Sequence, residues 1–348
     1  MHTAKVKKIN IKNFKGIQDL ELDFTYEGNN DILDNIVIYG INGAGKSTIL
    51  EAIHICLVVS SIYHKKDDSK RIEEYLVRYL SLGDEWIYHN AKEFVLDIEL
   101  LDNTQLIEAR LIYHKEEGLK WTTKGNKKLS ESFHKSFAYL SSYRLLNPST
   151  VRSAGDWEEI ERIEEDLLRR RRGYTPNSTR YRREKSFPSL SLQFENNYST
   201  VKQYLVNLIT DKKLEAISRE NREVLNKIQE SFQIFFPHKT FLEKLSRDSD
   251  YQDYRLMIEN EDESIVDLDQ LSSGEREIIA FFTYLCTKAM HTSILIIDEP
   301  ELHLHPKWQS IILYSIHKIF PNVQLFLATH SEEIHQSASQ SELFELVK

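Results

Sequence analysis

The chain of 348 residues is 41% hydrophobic and 28% charged, which excludes a disordered protein and predicts a globular one with a sizeable core. Its formal net charge of −9 excludes a generally basic nucleic-acid coat, so any nucleic-acid contact must come from a local patch. The N-terminus lacks the apolar core of a signal peptide, and the apolar runs are too short for a membrane span. We therefore expect a soluble, cytoplasmic protein without a membrane partner. Cys56 and Cys286 lie in apolar stretches, which predicts buried, reduced thiols.

Six segments of the N-terminal part have alternating or continuously apolar patterns typical of β-strands. They are residues 5–12, 20–24, 35–39, 93–101, 105–114 and 137–142. The run at 35–39 leads through a glycine-rich loop into an apolar helix from Thr48 to about Ser60. The strands at 93–101 and 105–114 are separated by a short polar turn, which predicts a hairpin.

The character of the chain changes near residue 145. Long charged segments with helical patterns predict a mainly helical insertion over 145–262, with a strand at 254–258 and without the sustained heptads of a long coiled coil. After it, a helix, an apolar strand, a second helix and a last apolar strand follow in order. Such alternation predicts a largely parallel sheet with its ligand at the carboxyl ends of the strands. We divide the chain into residues 1–144, 145–262 and 263–348.

The glycine-rich loop, Gly40-Ile-Asn-Gly-Ala-Gly-Lys-Ser47, has the spacing G-x-x-x-x-G-K-[ST] between a predicted strand and a predicted helix. Backbone amides of such a loop and the helix N-terminus bind phosphates. Lys46 is expected to reach the β- and γ-phosphates, and Ser47 is expected to ligate Mg²⁺. A chance glycine-rich turn is the alternative, and the strand–loop–helix context disfavours it. The predicted phosphate-binding residues are Asn42, Gly43, Ala44, Gly45, Lys46, Ser47 and Thr48.

The strand at 294–297 ends in two carboxylates, Asp298 and Glu299. Asp298 is placed to hold the water shell of Mg²⁺, and Glu299 is placed to orient or deprotonate an attacking water. A surface turn before Pro300 is the alternative interpretation. The phosphate loop elsewhere in the chain favours the catalytic one.

A second loop, Leu271-Ser272-Ser273-Gly274-Glu275, precedes a helix and by itself is an ordinary helix cap. In the order of these motifs it resembles the signature loop of ABC-type ATPases, in the form found in the SMC/RecF-like branch. His330 resembles the switch histidine of the same superfamily. Residues 11–17, IKNFKGI, look like the opening of SMC/RecF-like ATPases, and residues 299–306 resemble the D-loop region of OLD-like ATPases. The resemblance implies an α/β P-loop NTPase fold with a mixed sheet core, an antiparallel β subdomain and a helical insertion.

The resemblance also implies a mechanism. ATP would be hydrolysed to ADP and phosphate between two copies of the chain, in a homodimer or a higher homo-oligomer. The catalytic residues would be Lys46, Glu299 and His330, with Ser47 and Asp298 as Mg²⁺ ligands. The signature residues would reach the nucleotide from the other copy; they are Ser272, Ser273, Gly274 and Glu275. The usual glutamine of the Q-loop is missing, and Arg144 stands near its place.

The biological role has several interpretations. Because the chain ends shortly after His330, we expect an ATPase without the nuclease domain of OLD proteins. Similar ATPases work in prokaryotic antiviral defence with a separate effector, a nuclease or a toxin, as in Septu, retron-associated or PARIS-like systems. A RecF-like DNA-maintenance ATPase is the second interpretation, and a nucleotide-held scaffold with little turnover is the third. The LSSGE loop and the NFKGI opening disfavour the motor subunit of a membrane transporter.

A basic block interrupts the acidic chain, with Tyr174 and Tyr181 interleaved. It could bind a nucleic-acid backbone, dock on an acidic protein or simply be a solvated surface. Its arginines are Arg169, Arg170, Arg171, Arg172, Arg180, Arg182 and Arg183. His303 and His305 have a spacing that could suit a metal, but no third ligand is near in sequence, so we favour the D-loop interpretation.

Overall fold

The structure is a computed structural model that describes residues 3–62, 73, 83–124, 129, 133, 136–140, 198–247, 254–302 and 304–346. The strands of the described residues are β1 Ala4–Phe14, β2 Ile17–Asp23, β3 Asn35–Gly40, β4 Glu93–Asp102, β5 Gln105–His114, β6 Gly118–Thr123, β7 Phe137–Leu140, β8 Lys239–Arg247, β9 Tyr254–Asn260, β10 Ile265–Asp267, β11 Ile294–Asp298, β12 Gln324–Thr329 and β13 Leu343–Leu346. The helices are α1 Lys46–Ile62, α2 Tyr198–Lys213, α3 Arg219–Phe235, α4 Ser273–Lys288, α5 Pro306–Gln309, α6 Ile312–Ile319 and α7 Glu332–Ser337.

The central sheet has the strand order β13-β3-β12-β11-β7, and all of its described pairs are parallel. Every residue of β11 and β12 is buried, which explains why both read as continuous apolar runs rather than alternating ones. The sequence places β3, β11 and β12 correctly. Because parallel strands share one carboxyl edge, the residues that follow these three strands are brought together.

A second sheet is antiparallel, in the order β2-β1-β4-β5-β6. Its inner face alternates along the strands, as β4 does with every second residue buried. Helix α1 contacts both sheets and is apolar on nearly all sides, because it is enclosed between them. The predicted hairpin of β4 and β5 is confirmed, with Asn103 at φ 55° in its turn, whereas the sequence interpretation missed β6.

The buried side chain of Gln324 fastens the two sheets to each other. Its Oε1 accepts from the backbone N–H of Val6 at 2.7 Å, and its Nε2 donates to the carbonyls of Val6 at 2.8 Å and Leu33 at 3.1 Å. The side-chain amide therefore pairs with backbone N–H and C=O groups between the two sheets. All of its polar atoms are satisfied, which a fully buried amide requires.

The described part of the 145–262 segment is not only helical. The charged stretch that the sequence presents as one long helix divides into α2 and α3, with Glu215 at φ 56° between them and Ser218 capping α3. Strands β8, β9 and β10 then form an antiparallel sheet, of which only β9 was predicted. Helices α2 and α3 share one hydrophobic core with α4 and with β11 and β12. The three-part division of the chain stays a prediction.

The structure also agrees with the expected burial of the two cysteines. Cys56 and Cys286 are buried and free, and burial raises the pKa of Cys286 to about 12. Phe281, Phe282 and Tyr284 belong to the core. None of the helices within the described ranges is long and apolar enough to cross a membrane.

Candidate functional site

The phosphate loop lies where the sequence predicts it, between β3 and α1. Gly43 and Gly45 have φ angles of 77° and 99°, a region that glycine adopts without the steric cost of a side chain. At Gly40 a Cβ atom would come within 2.9 Å of the carbonyl oxygen of Leu346 on β13, so a larger residue would push the two strands apart. The loop geometry therefore requires glycines at the positions that define the motif.

Lys46 is the first residue of α1, and it is almost completely buried. Its ammonium group donates to the carbonyl oxygens of Gly40 at 2.8 Å and Ile41 at 3.1 Å. The side chain therefore folds back over the loop. An ammonium group has three donors, so one remains to point away from these two carbonyls.

The turn between β1 and β2 packs against the phosphate loop. Ile17 lies 3.7 Å from the place where a Cβ of Gly45 would stand. In the same turn Lys15, at φ 49°, donates to Glu51 at 2.5 Å and lies 4.7 Å from the ring centre of Trp86. The end of the IKNFKGI segment thus forms one wall beside the loop.

Ser47 and Asp298 are 251 positions apart in the chain and meet at this edge of the sheet. The Ser47 hydroxyl donates to Oδ1 of Asp298 at 3.0 Å. Burial raises the pKa of Asp298 to about 6, and the neighbouring carboxylates of Glu299, Glu51 and Glu301 act in the same direction, while the Ser47 hydrogen bond opposes them. The site therefore concentrates negative charge around a buried carboxylate.

Glu299 leaves the end of β11 in an unusual conformation. Its φ of 49° is in the left-handed region, which costs a residue with a side chain about 1 kcal/mol. Its backbone N–H donates to the carbonyl oxygen of Ala328 on β12 at 2.9 Å. This hydrogen bond holds Glu299 beside the end of β12. The side chain is 26% exposed, so the carboxylate is open to a bound molecule.

His330 follows β12 and lies beside two carboxylates. Its Nδ1 is 3.9 Å from Oε1 of Glu299 and 3.0 Å from Oε1 of Glu301. Glu301 is buried, and the same oxygen accepts from the Thr329 hydroxyl at 2.7 Å and from the backbone N–H of His330 at 2.8 Å. The sequence interpretation did not identify Glu301 as a site residue. The signal that could have identified it was its position just beyond β11, whose parallel neighbour β12 is followed by His330.

The signature loop caps α4. The Ser272 hydroxyl and backbone N–H both donate to Oε2 of Glu275, at 2.8 and 2.9 Å, and the Glu275 N–H donates back to the hydroxyl at 3.4 Å. Lys239 at the start of β8 donates to the other Glu275 oxygen at 2.7 Å. Burial alone would raise the pKa of Glu275, but the hydrogen bonds from Lys239 and Ser272 lower it. The predicted cap is therefore present, and Ser273 and Gly274 form the first turn of the helix.

The structure brings only part of the predicted site together. The phosphate loop, Asp298, Glu299 and His330 share one edge of the parallel sheet. Within the described residues, Ser272 and Glu275 bond to each other and Glu275 bonds to Lys239, and neither bonds to the phosphate loop. His303, Arg144 and the basic block lie outside the described residues. His305 accepts from the N–H of Lys307 as a helix cap. The described part of the chain contains no group of three His, Cys, Asp or Glu side chains placed to hold a metal ion.

The fold and the loop geometry define a P-loop ATPase. The chain belongs to the family described as "AAA domain, putative AbiEii toxin, Type IV TA system", which matches residues 36–334. This range includes the phosphate loop, the signature loop, the acidic strand end and His330. The predictions that the chain binds nucleotide and is an ATPase are therefore confirmed, and so is the family resemblance.

Three curated relatives are similar over most of this chain. The Retron Ec83 probable ATPase of Escherichia coli is 27% identical, over 97% of this chain and 70% of its own length. The Retron Vc95 probable ATPase of Vibrio cholerae serotype O1 biovar El Tor is 25% identical, over 95% and 71%. The Septu protein PtuA of Bacillus mycoides is 23% identical, over 94% of this chain but 38% of its own length.

The solved structures confirm the fold class. The Smc head domain of Pyrococcus furiosus, bound to the C-terminal domain of ScpA, has a TM-score of 0.53 and 14% identity, over 99% of this chain and 93% of that one. The SMC head domain of Thermotoga maritima has a TM-score of 0.52 and 13% identity, over 98% and 94%. At these identities the likeness shows the fold alone. The α/β P-loop architecture with parallel and antiparallel sheets agrees with the prediction.

Proposed function

We propose that the chain hydrolyses ATP in a site shared by two copies, and that this reaction switches a separate effector. The observation that carries the hydrolytic part is the contact of Ser47 with Asp298, beside Glu299 and His330. Residues from three separate strand ends meet there, next to a loop built for phosphates. Such convergence of an anion-binding loop with a base and a buried carboxylate is what phosphoryl transfer to water requires.

The donor set fits Mg²⁺. A serine hydroxyl and a carboxylate 3.0 Å apart are hard oxygen ligands, and Mg²⁺ in nucleotide sites is held by one or two such protein ligands together with phosphate oxygens and water. The raised pKa of Asp298 is consistent with this use, because a cation would offset the repulsion among the neighbouring carboxylates. We propose that Ser47 and Asp298 hold Mg²⁺, which supplies charge neutralisation on the phosphates when bound.

The remaining roles follow from the positions of the side chains. The remaining donor of Lys46 would bind the β- and γ-phosphates. The partly exposed carboxylate of Glu299 would accept a proton from the attacking water, or orient it. His330 would contact the γ-phosphate with the edge of its ring that faces away from Glu301. The backbone of Asn42, Gly43, Ala44, Gly45 and Thr48 would line the phosphates as the loop and first turn of α1.

The second copy is needed because the signature loop bonds elsewhere in its own chain. We propose that Ser272, Ser273 and Gly274 complete the site of the opposite copy with hydroxyl and helix N-terminal N–H groups. Glu275 would hold Ser272 in place, and its charge is offset by Lys239. Binding of ATP would then close the dimer, and hydrolysis would open it.

Mixing two inactive variants tests the shared site. Lys46→Ala disables the phosphate loop, and Ser272→Arg disables the signature loop. In a mixed dimer, one of the two sites has both loops intact, so an equal mixture should recover about a quarter of the wild-type ATPase activity after subunit exchange. Each variant alone should be inactive. No recovery in dimers shown to exchange would mean that the two loops serve the same chain.

The proposed biological role is the control of an effector in antiviral defence. It is supported by the similarity to two retron probable ATPases and to a Septu protein over nearly the whole chain. The test is co-expression with the protein encoded beside it, followed by a purification that asks whether ATP or ADP changes the ratio of the two proteins. Hydrolysis strongly stimulated by DNA, with no such partner, would favour the DNA-maintenance alternative.

A further inference from the structure

Glu301 is the residue that the proposed reaction leaves unused although it contacts the switch histidine. Its side chain is only 4% exposed, and its Oε1 accepts hydrogen bonds from the Thr329 hydroxyl and the His330 N–H. The Nδ1 atom of His330 lies 3.0 Å from the same oxygen. Oε2 of Glu301 is also buried and has no hydrogen-bond partner among the described residues. All the described polar contacts of the carboxylate therefore go to two consecutive residues at the end of β12.

A buried carboxylate is costly unless it is paired, so it is retained only where its charge or its acceptors are needed. A turn with no functional role would not need a buried carboxylate at this position. What a carboxylate adds is that both of its oxygens only accept hydrogen bonds. A neutral imidazole facing it must carry its proton on Nδ1, because an unprotonated Nδ1 would face an oxygen with no proton to share.

We propose that Glu301 is a positioning residue for His330, which keeps the ring proton on Nδ1 and leaves Nε2 on the open side of the ring, beside the γ-phosphate, as an acceptor for a proton of the attacking water. The side chain of His330 is 43% exposed, so that open side can be reached. This inference rests on the proposed function for the role of His330 in hydrolysis. The tautomer itself does not depend on it.

The turn is braced independently of Glu301, which makes the inference testable. Gln309 donates to the carbonyl of Leu304 at 2.8 Å and accepts from the Ser331 hydroxyl at 2.7 Å. These contacts join the segment after Glu301 to the segment after His330 by a second route. A Glu301→Met variant should therefore keep the fold. Its side chain has a similar length and offers Nδ1 no strong acceptor, so the tautomer is no longer imposed.

The first experiment reads the histidine ring directly. Long-range ¹H–¹⁵N spectra of nucleotide-free protein at neutral pH report which ring nitrogen carries the proton, and His330→Gln identifies the signal among the 13 histidines. In the wild type the proton should be on Nδ1, and in Glu301→Met the spectrum should move towards the Nε2–H form. The matched control is Glu333→Met, which removes a nearby carboxylate that contacts Ser331 at 3.2 Å. An unchanged ring in Glu301→Met, or an equal change in the control, overturns the inference.

The second experiment is a kinetic cycle. Glu301→Met should lower kcat about 10- to 100-fold, as loss of a carboxylate that orients a functional histidine commonly does, with the Kd for ATP nearly unchanged. In a His330→Ala background the same substitution should have no further effect, because its target is gone. An undiminished loss in that background would place the action of Glu301 elsewhere. If the purified chain shows no turnover, the proposed function is in doubt, but the spectra still decide the tautomer.

Discussion

The burial of Asp298 beside other carboxylates suits it to a cation site, and the same burial should destabilise the protein when no cation is bound. This gives the most specific prediction of stability. Only 3% of the residue is exposed, and burial is the first cause that raises its pKa from 3.8 to about 6. The charged form is therefore disfavoured in the folded state relative to the unfolded state. We predict that Asp298→Asn, which keeps the shape and an acceptor for Ser47, raises the free energy of unfolding.

The size and pH dependence follow from the same shift. A change of roughly two pKa units corresponds to about 3 kcal/mol above pH 6, where the folded carboxyl must ionise against its environment. Because this shift already includes the opposing effect of the Ser47 hydrogen bond, the expected gain at pH 8 is the whole of it, about 3 kcal/mol. Between pH 6 and about 4 the folded wild type takes up the proton more readily than the unfolded chain. The wild type then gains stability relative to the variant, and the difference falls to zero near pH 4.

The assay is urea unfolding of both proteins at several pH values, in a chelator and without nucleotide. Asp19→Asn, an exposed carboxylate on β2, is the matched control and should change little at any pH. With Mg-ATP the order should reverse, because the variant loses the ligand that stabilises the wild type. If Asp298→Asn is less stable than the wild type at pH 8 in chelator, the account of a strained, cation-ready carboxylate is refuted.

Three further substitutions test other contacts. Gln324→Leu removes three hydrogen bonds, two of which join the two sheets, and should cost about 3 kcal/mol in unfolding free energy, measured by urea titration. Lys239→Met leaves the carboxylate of Glu275 without its counter-charge and should weaken ATP-dependent dimerisation about tenfold in sedimentation, with binding of ATP to the single chain unchanged. Ser218→Ala removes the N-cap of α3 and should cost about 1 kcal/mol in thermal unfolding.

Each of these has its own contradicting result, and the first two have a control variant. Gln105→Leu changes an exposed glutamine and should be nearly neutral. An equal loss of stability there would mean that the cost of Gln324→Leu does not come from its three hydrogen bonds. Lys213→Met removes an exposed lysine, and a matching loss of dimer would deny Lys239 a specific role. A stability of Ser218→Ala equal to that of the wild type would mean that α3 is held by packing alone.

The parts of the site that could be predicted are those written locally in the sequence. The phosphate loop depends on glycines at fixed spacing between an apolar strand and an apolar helix, and the acidic strand end depends on a buried run that stops at Asp298. The helix cap at Ser272 is equally local, since its partner Glu275 is three residues away. The predicted roles of these residues in the reaction stay predictions until the variants are measured.

The parts that could not be predicted depend on which strands are neighbours. Glu301 meets His330 because β11 and β12 are adjacent and in register, with Asp298 opposite Ala328. The sequence does not state that register. Lys239 meets Glu275 in the same way, across the start of a strand that was not predicted. Strand β8 was not predicted, because its pairing with β9 shifts register after Phe241 and the alternation of apolar residues is interrupted there.

Strand β6 was missed for a different reason. It has only two buried apolar residues, Leu119 and Trp121, so its pattern is too short to stand out. It follows a tight turn at Gly118, whose φ is 72°, and it is defined by pairing with β5 rather than by its own sequence. The break between α2 and α3 was missed because the residues around Glu215 are good helix formers, although in the structure their N–H groups bond back to Asp211 and Lys212 and end the helix.

The central claim is that ATP joins two copies of the chain across one site. The most direct test is the solution mass of Glu299→Gln with and without Mg-ATP, since loss of the proposed base should trap bound ATP without disturbing the phosphate loop. We predict that the mass doubles from the 41.0 kDa of one chain when Mg-ATP is added, and that Ser272→Arg in the same background prevents the doubling. A protein that binds ATP and remains at the mass of a single chain would contradict the account.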